Sequence, residues 1–180
     1  TAPRIDAVGP LFEHARRLLP KASVKRGYLR HAEAVIRFIT PDALSLSRPQ
    51  ADLVLVDEAA AIPSPLLERL LRQHARIVFA TTIHGYEGAG RGFAVRFQQV
   101  LQRLTPDWRT LRMETPVRWA PHDPVERLTF EMLLLHASSA PERAVKHIQS
   151  KDCVFEQSHR DTLCEDERDL SELFGLLVLA

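Results

Sequence analysis

The apolar positions of this chain fall into short runs and helical stripes, and the sharpest is LVLVDEAAAIP at 53–63, in which Leu53 to Val56 lead into two adjacent carboxylates. A run of that length reads as a strand buried on both faces of a parallel sheet. Ser64 then stands as a helix N-cap with Pro65 at the first helical position, and Leu66, Leu67, Leu70 and Leu71 repeat at helical spacing. A second β-branched run, RIVFATTI at 76–83, completes a right-handed βαβ unit. Upstream, Leu11, Phe12, Ala15, Leu18 and Leu19 mark a helix closed by Pro20, and 35–39 reads as a short strand stopped by Thr40 and Pro41. Downstream, 93–104 is helical through Val95, Phe97, Val100, Leu101 and Leu104, and 110–114 reads as an edge-ward strand. Asp123-Pro124-Val125-Glu126 has the form of a capping box opening a helix that runs to about His136. The pattern dissolves over 137–151, 153–155 reads as a short strand, and 166–179 is an amphipathic helix with Leu170, Leu173, Phe174, Leu176 and Leu177 on one side. The alternation of strands and helices is that of an α/β protein.

Composition narrows the class without deciding it. The 180 residues are 45% hydrophobic and 26% charged, an ordinary soluble globular balance. A formal net charge of +1 excludes a strongly basic nucleic-acid binder but leaves room for a local basic patch. Arginine greatly outnumbers lysine, which suits bidentate phosphate recognition and equally reflects a GC-rich genome. Cys153 and Cys164 lack metal-ligand spacing and the histidines are scattered, so no zinc site is expected. No apolar stretch is long enough to span a bilayer and no signal peptide is recognisable, so cytosolic residence is the default expectation. The chain opens at Thr1 and stops inside a helical pattern at Ala180, as a piece of a longer protein would.

Candidate chemistry gathers at the strand ends, where open α/β sheets bind ligands. A nucleotide triphosphatase needs one carboxylate for Mg²⁺ and another to orient water, and Asp57 and Glu58 supply the pair; solvated acids at the end of a strand are the plain alternative. Thr81 and Thr82 close the neighbouring strand, where helicase-like ATPases place a hydroxyl pair that senses the γ-phosphate; alone, such a pair is more often a cap. The loop HGYEGAGRG at 84–92, with Gly88, Gly90 and Arg91, precedes a helix N-terminus and suits an RNA or nucleotide phosphate, or is simply a surface loop. No G-K-[S/T] follows it, so it is not a Walker A loop. Arg118 is held between Pro116 and Pro121 beside Trp119, in the manner of an arginine finger or of a surface arginine packed on an aromatic ring.

Taken together, TAPR at 1–4, DEAAAIP at 57–63, TTIHGYEGAGRGF at 81–93 and PVRWAPHDPVE at 116–126 closely resemble the helicase-like ATPase module of the tRNA(Met) cytidine acetyltransferases and their eukaryotic RNA-acetylating relatives. The resemblance covers most of 1–136 in order and spacing and loosens after Ala137. It implies a RecA-like P-loop NTPase, a three-layer sandwich with a mostly parallel sheet, here lacking the Walker A strand. It also implies a division into an ATPase core at 1–136 and, at 137–180, a linker toward a GNAT acetyltransferase domain outside this chain. Asp57 and Glu58 then take the Walker B roles with Asp57 holding Mg²⁺ indirectly, Arg118, Thr81 and Thr82 face ATP, and Arg91, Gly88 and Gly90 face RNA. The implied activity is ATP-coupled, acetyl-CoA-dependent N4-acetylation of the wobble cytidine of elongator tRNA-Met, with no membrane partner. The rivals are another P-loop helicase or nucleotide switch, and a non-enzymatic interaction module in which these residues serve structure alone.

Overall fold

A computed structural model of the chain describes residues 1–82, 89–137 and 145–177. It divides into two compact units, Thr1–Asp107 and Trp108–Ala180. The first opens with a 3-10 turn at Ile5–Val8 and helix α1 at Gly9–Leu18, whose Pro10 lies in the first turn. Three antiparallel strands follow: β1 (Ser23–Lys25), β2 (Tyr28–His31) and β3 (Ala34–Arg37), in the order β1-β2-β3. Lys25 pairs with Tyr28 across Arg26 and Gly27, and Gly27 takes φ +69° at this turn. A Cβ there would crowd Ile5 Cδ1 at 3.1 Å and Phe38 Cβ at 3.2 Å, so the positive φ favours glycine and the packing adds to that preference. The expected strand at 35–39 is thus the last of a meander and ends at Arg37, while β1 and β2 were not anticipated. Phe12, Leu29, Val8 and Ala2 form the core beneath this meander.

Helix α2 (Pro41–Ser47), strand β4 (Val54–Val56), a 3-10 turn (Ala59–Ala61), helix α3 (Ser64–Gln73), strand β5 (Ile77–Phe79) and helix α4 (Ala89–Leu104) build the rest of this unit. β4 and β5 pair in parallel, with Val54, Leu55 and Val56 opposite Ile77, Val78 and Phe79, as the βαβ reading expects. Val54 and Val56 are buried with Leu44, Leu67, Leu70, Phe93 and Phe97. The expectation of a strand buried on both faces is corrected: Leu53 is 50% exposed, Leu55 42% and Val78 51%, because α3 and α4 cover one side of the sheet and no described residue covers the other. Ser64 is the first helical residue and not the cap; Pro63 holds the N-cap position with no side-chain cap. The Phe93 and Phe97 rings stack at 5.1 Å, and Phe97 meets Phe79 edge to face at 4.9 Å, fixing α4 against β5. Glu68 on α3 bonds Arg72 at 2.8 Å and Arg103 of α4 at 3.1 Å. The Arg72 hydrogen bond, followed by the charge of Arg103, holds the Glu68 carboxyl below its ordinary pKa.

In the second unit the residues 110–114 form no strand; Leu111 and Met113 are almost fully exposed, and no described strand of that unit lies beside them to pair with. Helix α5 (Pro124–Met132) is capped as expected: Asp123 Oδ1 accepts from the backbone N–H of Val125 at 2.8 Å and of Glu126 at 3.2 Å. It ends four residues short of His136. The expected strand at 153–155 is irregular and exposed, following a 3-10 turn at Ser150–Asp152. Helices α6 (Arg160–Glu165) and α7 (Glu167–Leu177) close the described chain, with Asp166 capping α7 through the N–H groups of Arg168 and Asp169. The apolar side of α7 stays largely open, Leu176 and Leu177 included, where the amphipathic pattern predicts burial.

Leu67→Ala, at a wholly buried site, is expected to cost about 2–5 kcal/mol in denaturant unfolding of the complete protein, and Leu55→Ala under half as much. Because the Glu68 pKa is lowered on folding, the Glu68 bridge contributes above the ordinary carboxylate range and is lost as pH falls through the depressed value. Glu68→Gln should therefore flatten the acid limb of a stability-against-pH curve while leaving the neutral fold intact.

Candidate functional site

Asp57 and Glu58 follow directly on β4, and both are half-buried. The main chain turns sharply there. Glu58 adopts φ 50°, ψ 46°, the left-handed region, at a non-glycine residue, which costs on the order of 1 kcal/mol. Asp57 Oδ1 accepts the N–H of the next residue, Glu58, at 3.0 Å, a bond within the turn made by one of its two carboxylate oxygens. The chain then enters the Ala59–Ala61 turn with Ala59 fully buried. Strand propensity alone could not announce this turn, because neither Asp57 nor Glu58 is a glycine.

The end of β5 is stitched to the same turn. Ala80 donates to Val56 O at 2.8 Å and Ala59 to Ala80 O at 3.0 Å, extending the parallel ladder past both strands. The Thr81 hydroxyl accepts the Ala60 N–H at 3.3 Å and donates to Thr82 O at 3.3 Å. Thr81 is thereby placed beside the carboxylate turn, as the sequence predicts, but with its hydroxyl engaged by main chain; Thr82 is exposed.

On the other edge of β4, the Thr1 amino group donates to Leu55 O at 2.7 Å and Asp57 N–H donates to Thr1 O at 2.9 Å. These two bonds straddle Val56 as one rung of a parallel ladder, so Asp57 lies between main chain on both sides. The pairing of the opening TAPR segment with β4 is made by main chain alone and has no side-chain signal.

The remaining candidates are placed less closely. Gly90 and Arg91 lie in the first turn of α4, a helix that packs on the Ala59–Ala61 turn through the cluster containing Phe93 and Ala59. Gly88 lies outside the described residues. Arg118 belongs to the second unit and is exposed in an irregular loop. Within that unit Pro116, Pro121, His122, Glu126 and Phe130 line an open cleft of about 610 Å³, and Arg118 itself does not line it. No group of three or more His, Cys, Asp or Glu side chains able to hold a metal ion occurs among the described residues. No helix among them is long and apolar enough to cross a membrane.

The family described as RNA cytidine acetyltransferase NAT10/TcmA, helicase domain, matches this chain over residues 1–136. Among curated relatives, the chain is 56% identical over 180 residues to a tRNA(Met) cytidine acetyltransferase TmcA of Nitrosococcus halophilus, covering all of this chain and 24% of the relative. It is 43% identical over its full length to the protein of the same name from Vibrio cholerae, covering 25% of it. The archaeal Haloferax volcanii protein of that name is 37% identical, again with the whole of this chain matched. The chain spans about a quarter of the length of the curated relatives it matches.

Thr81→Val, which leaves the Ala60 N–H without its acceptor, should lower stability by about 1–2 kcal/mol in chemical denaturation. Glu58→Gly should leave stability unchanged or raise it by up to about 1 kcal/mol, because glycine relieves the left-handed strain. A marked loss of stability for Glu58→Gly would show that the Glu58 side chain holds the turn.

Proposed function

Because this chain belongs to the RNA cytidine acetyltransferase NAT10/TcmA helicase-domain family, we propose that it is the ATPase section of an enzyme that acetylates N4 of the wobble cytidine in elongator tRNA-Met, using acetyl-CoA and ATP. The observation that carries the ATPase assignment is the joint placement of Asp57, Glu58 and Thr81 at the carboxyl ends of two paired parallel strands, locked by the Ala60 to Thr81 hydrogen bond. The match over residues 1–136 favours this reading over an unrelated nucleotide switch or a purely structural module.

The proposed architecture of the complete ATPase is RecA-like, a P-loop three-layer sandwich. The parallel β4-α3-β5 unit supports it, as does the parallel ladder rung that Thr1 makes on the other edge of β4. No G-K-[S/T] occurs in this chain, so a Walker A loop would have to come from elsewhere in the protein. An acetyltransferase domain of GNAT type and cytosolic residence complete the proposal.

The residues suit Mg-ATP chemically. Asp57 engages one of its two carboxylate oxygens within the turn, and the carboxylate is a hard oxygen donor suited to Mg²⁺ through bound water. The ion would supply charge neutralisation at the β- and γ-phosphates. Glu58 is thrown out of the strand line by its left-handed backbone and orients the attacking water. Thr82, exposed at the end of β5, reports on the γ-phosphate, and Thr81 ties that segment to the carboxylate turn. We assign Arg118 to the ATP phosphates and Arg91, with the backbone at Gly88 and Gly90, to RNA. Hydrolysis would drive the rearrangement that presents an unstacked cytidine to the acetyl-CoA site, a step that costs a few kcal/mol.

In the complete protein, Glu58→Gln should retain ATP and slow its hydrolysis at least about a hundredfold, about 2.7 kcal/mol in the barrier. Asp57→Asn should weaken Mg²⁺-dependent binding, and Arg118→Ala should reduce turnover with the melting temperature unchanged. Nucleotide titration and phosphate release measure these; parent-like hydrolysis by both carboxylate variants would refute the assignment.

A further inference from the structure

The β1-β2-β3 sheet presents two unlike faces. Its register sets Val24 opposite Leu29 and Leu29 opposite Ile36, and Leu29 is buried against α1. The pleat sends their neighbours to the opposite side. There Lys25, Tyr28 and Arg37 form one row across all three strands, and Ser23, Arg30 and Val35 form the next. Lys25, Arg30 and Arg37 are exposed and Tyr28 is half-exposed. With strands about 4.8 Å apart, Lys25 and Arg37 flank the base of Tyr28 on either side.

Charge on this face is uncompensated. Neither row contains a carboxylate, and Lys25, Arg30 and Arg37 make no ion pair among the described residues. Arg30 only touches the Ala32 carbonyl, at 3.4 Å. The nearby Asp6 is already engaged by Arg26 at 2.8 Å, and Glu33 lies in the β2-β3 turn. Between Lys21 and Arg37 there are five Lys or Arg and one Glu, in a chain whose net charge is only +1. Concentrating cations around a ring on a flat surface costs mutual repulsion, which a polyanion would offset. A stacking ring flanked by unpaired cations matches the alternation of base and phosphate in an unpaired nucleic-acid strand. A duplex would leave the ring unused.

We propose that this sheet face binds a single-stranded or looped segment of RNA, with Tyr28 stacking on a base and Lys25, Arg30 and Arg37 contacting backbone phosphates. It is a second RNA contact, separate in sequence from the Gly88 to Arg91 segment, and it rests on the reading that the complete protein acts on RNA. Lys25 and Arg37 hold the strand across the sheet; Arg30 continues the track along β2.

The test is fluorescence anisotropy with the complete protein, a labelled 12-nucleotide single-stranded RNA and purified tRNA, over a series of salt concentrations. Lys25→Ala/Arg30→Ala/Arg37→Ala should weaken binding at least tenfold and reduce the magnitude of the slope of log affinity on log salt by about 2. Tyr28→Ala should weaken the single strand at least about fivefold, with Tyr28→Phe restoring it. ATP hydrolysis without RNA and the melting temperature should not change; if the triple variant fails to fold, Arg37→Gln and Tyr28→Ala carry the test singly. Wild-type affinity and salt slope in the charge variants would overturn the inference alone. Losses in the charge variants with no effect of Tyr28→Ala on the 12-nucleotide RNA would overturn the stacking assignment. Failure of the unmodified protein to bind any RNA would overturn the functional reading and this inference with it.

Discussion

A pair of three-residue parallel strands makes too few hydrogen bonds to stand alone, so the site depends on the apolar cluster that grips one side of it. Val54 and Val56 supply the strand contribution, Leu67 and Leu70 that of α3, and Phe93 and Phe97 that of α4. Of the segments that touch the carboxylate turn, the Thr1 segment reaches it from the other core through Ala2, while β4, β5 and α4 pack in this cluster. Ala59, within the turn itself, is among its wholly buried members, so the backbone that carries Asp57 and Glu58 is anchored from below by packing and from the sides by main-chain hydrogen bonds.

That anchoring explains how a strained residue persists where chemistry is proposed. Glu58 is held left-handed because the chain must leave β4, meet Ala80 O through Ala59 and seat Ala59 in the core within two residues. The surroundings over-determine the turn, and the side chain is free to point away from it. Thr81 serves the same end from β5, spending its hydroxyl on main chain. The second unit has less to hold it: Leu111, Met113, Val117 and Phe155 are all exposed.

Much of this was legible in the residues. The apolar run before Asp57, the leucine stripe of α3, the β-branched run of β5 and the Asp123 cap each carry a local signal, and each is found where expected. The meander leaves little trace in the residues: Arg26-Gly27 between SVK and YLRH is not among the strong two-residue hairpin signals, and the strands are so short that alternation barely registers. Helix α2 hid because only Leu44 and its neighbours face the core over seven residues. At 153–155 Val154 and Phe155 favour a strand and at 110–114 only Thr110 does; no described strand of that unit lies alongside either, and propensity without a partner does not make a sheet. The left-handed Glu58 and the rung at Thr1 arise from main-chain geometry, which residue types do not encode.

The first unit is built on two separate buried clusters, one under the meander and one under the parallel strands. They meet where Phe38 turns toward the former and Ile39 toward the latter, and they share no buried residue. Substitutions in one should therefore be nearly additive with substitutions in the other. The cationic sheet can drift in sequence, gaining or losing charges, without disturbing the carboxylate turn, so the two surfaces are open to independent evolutionary tuning.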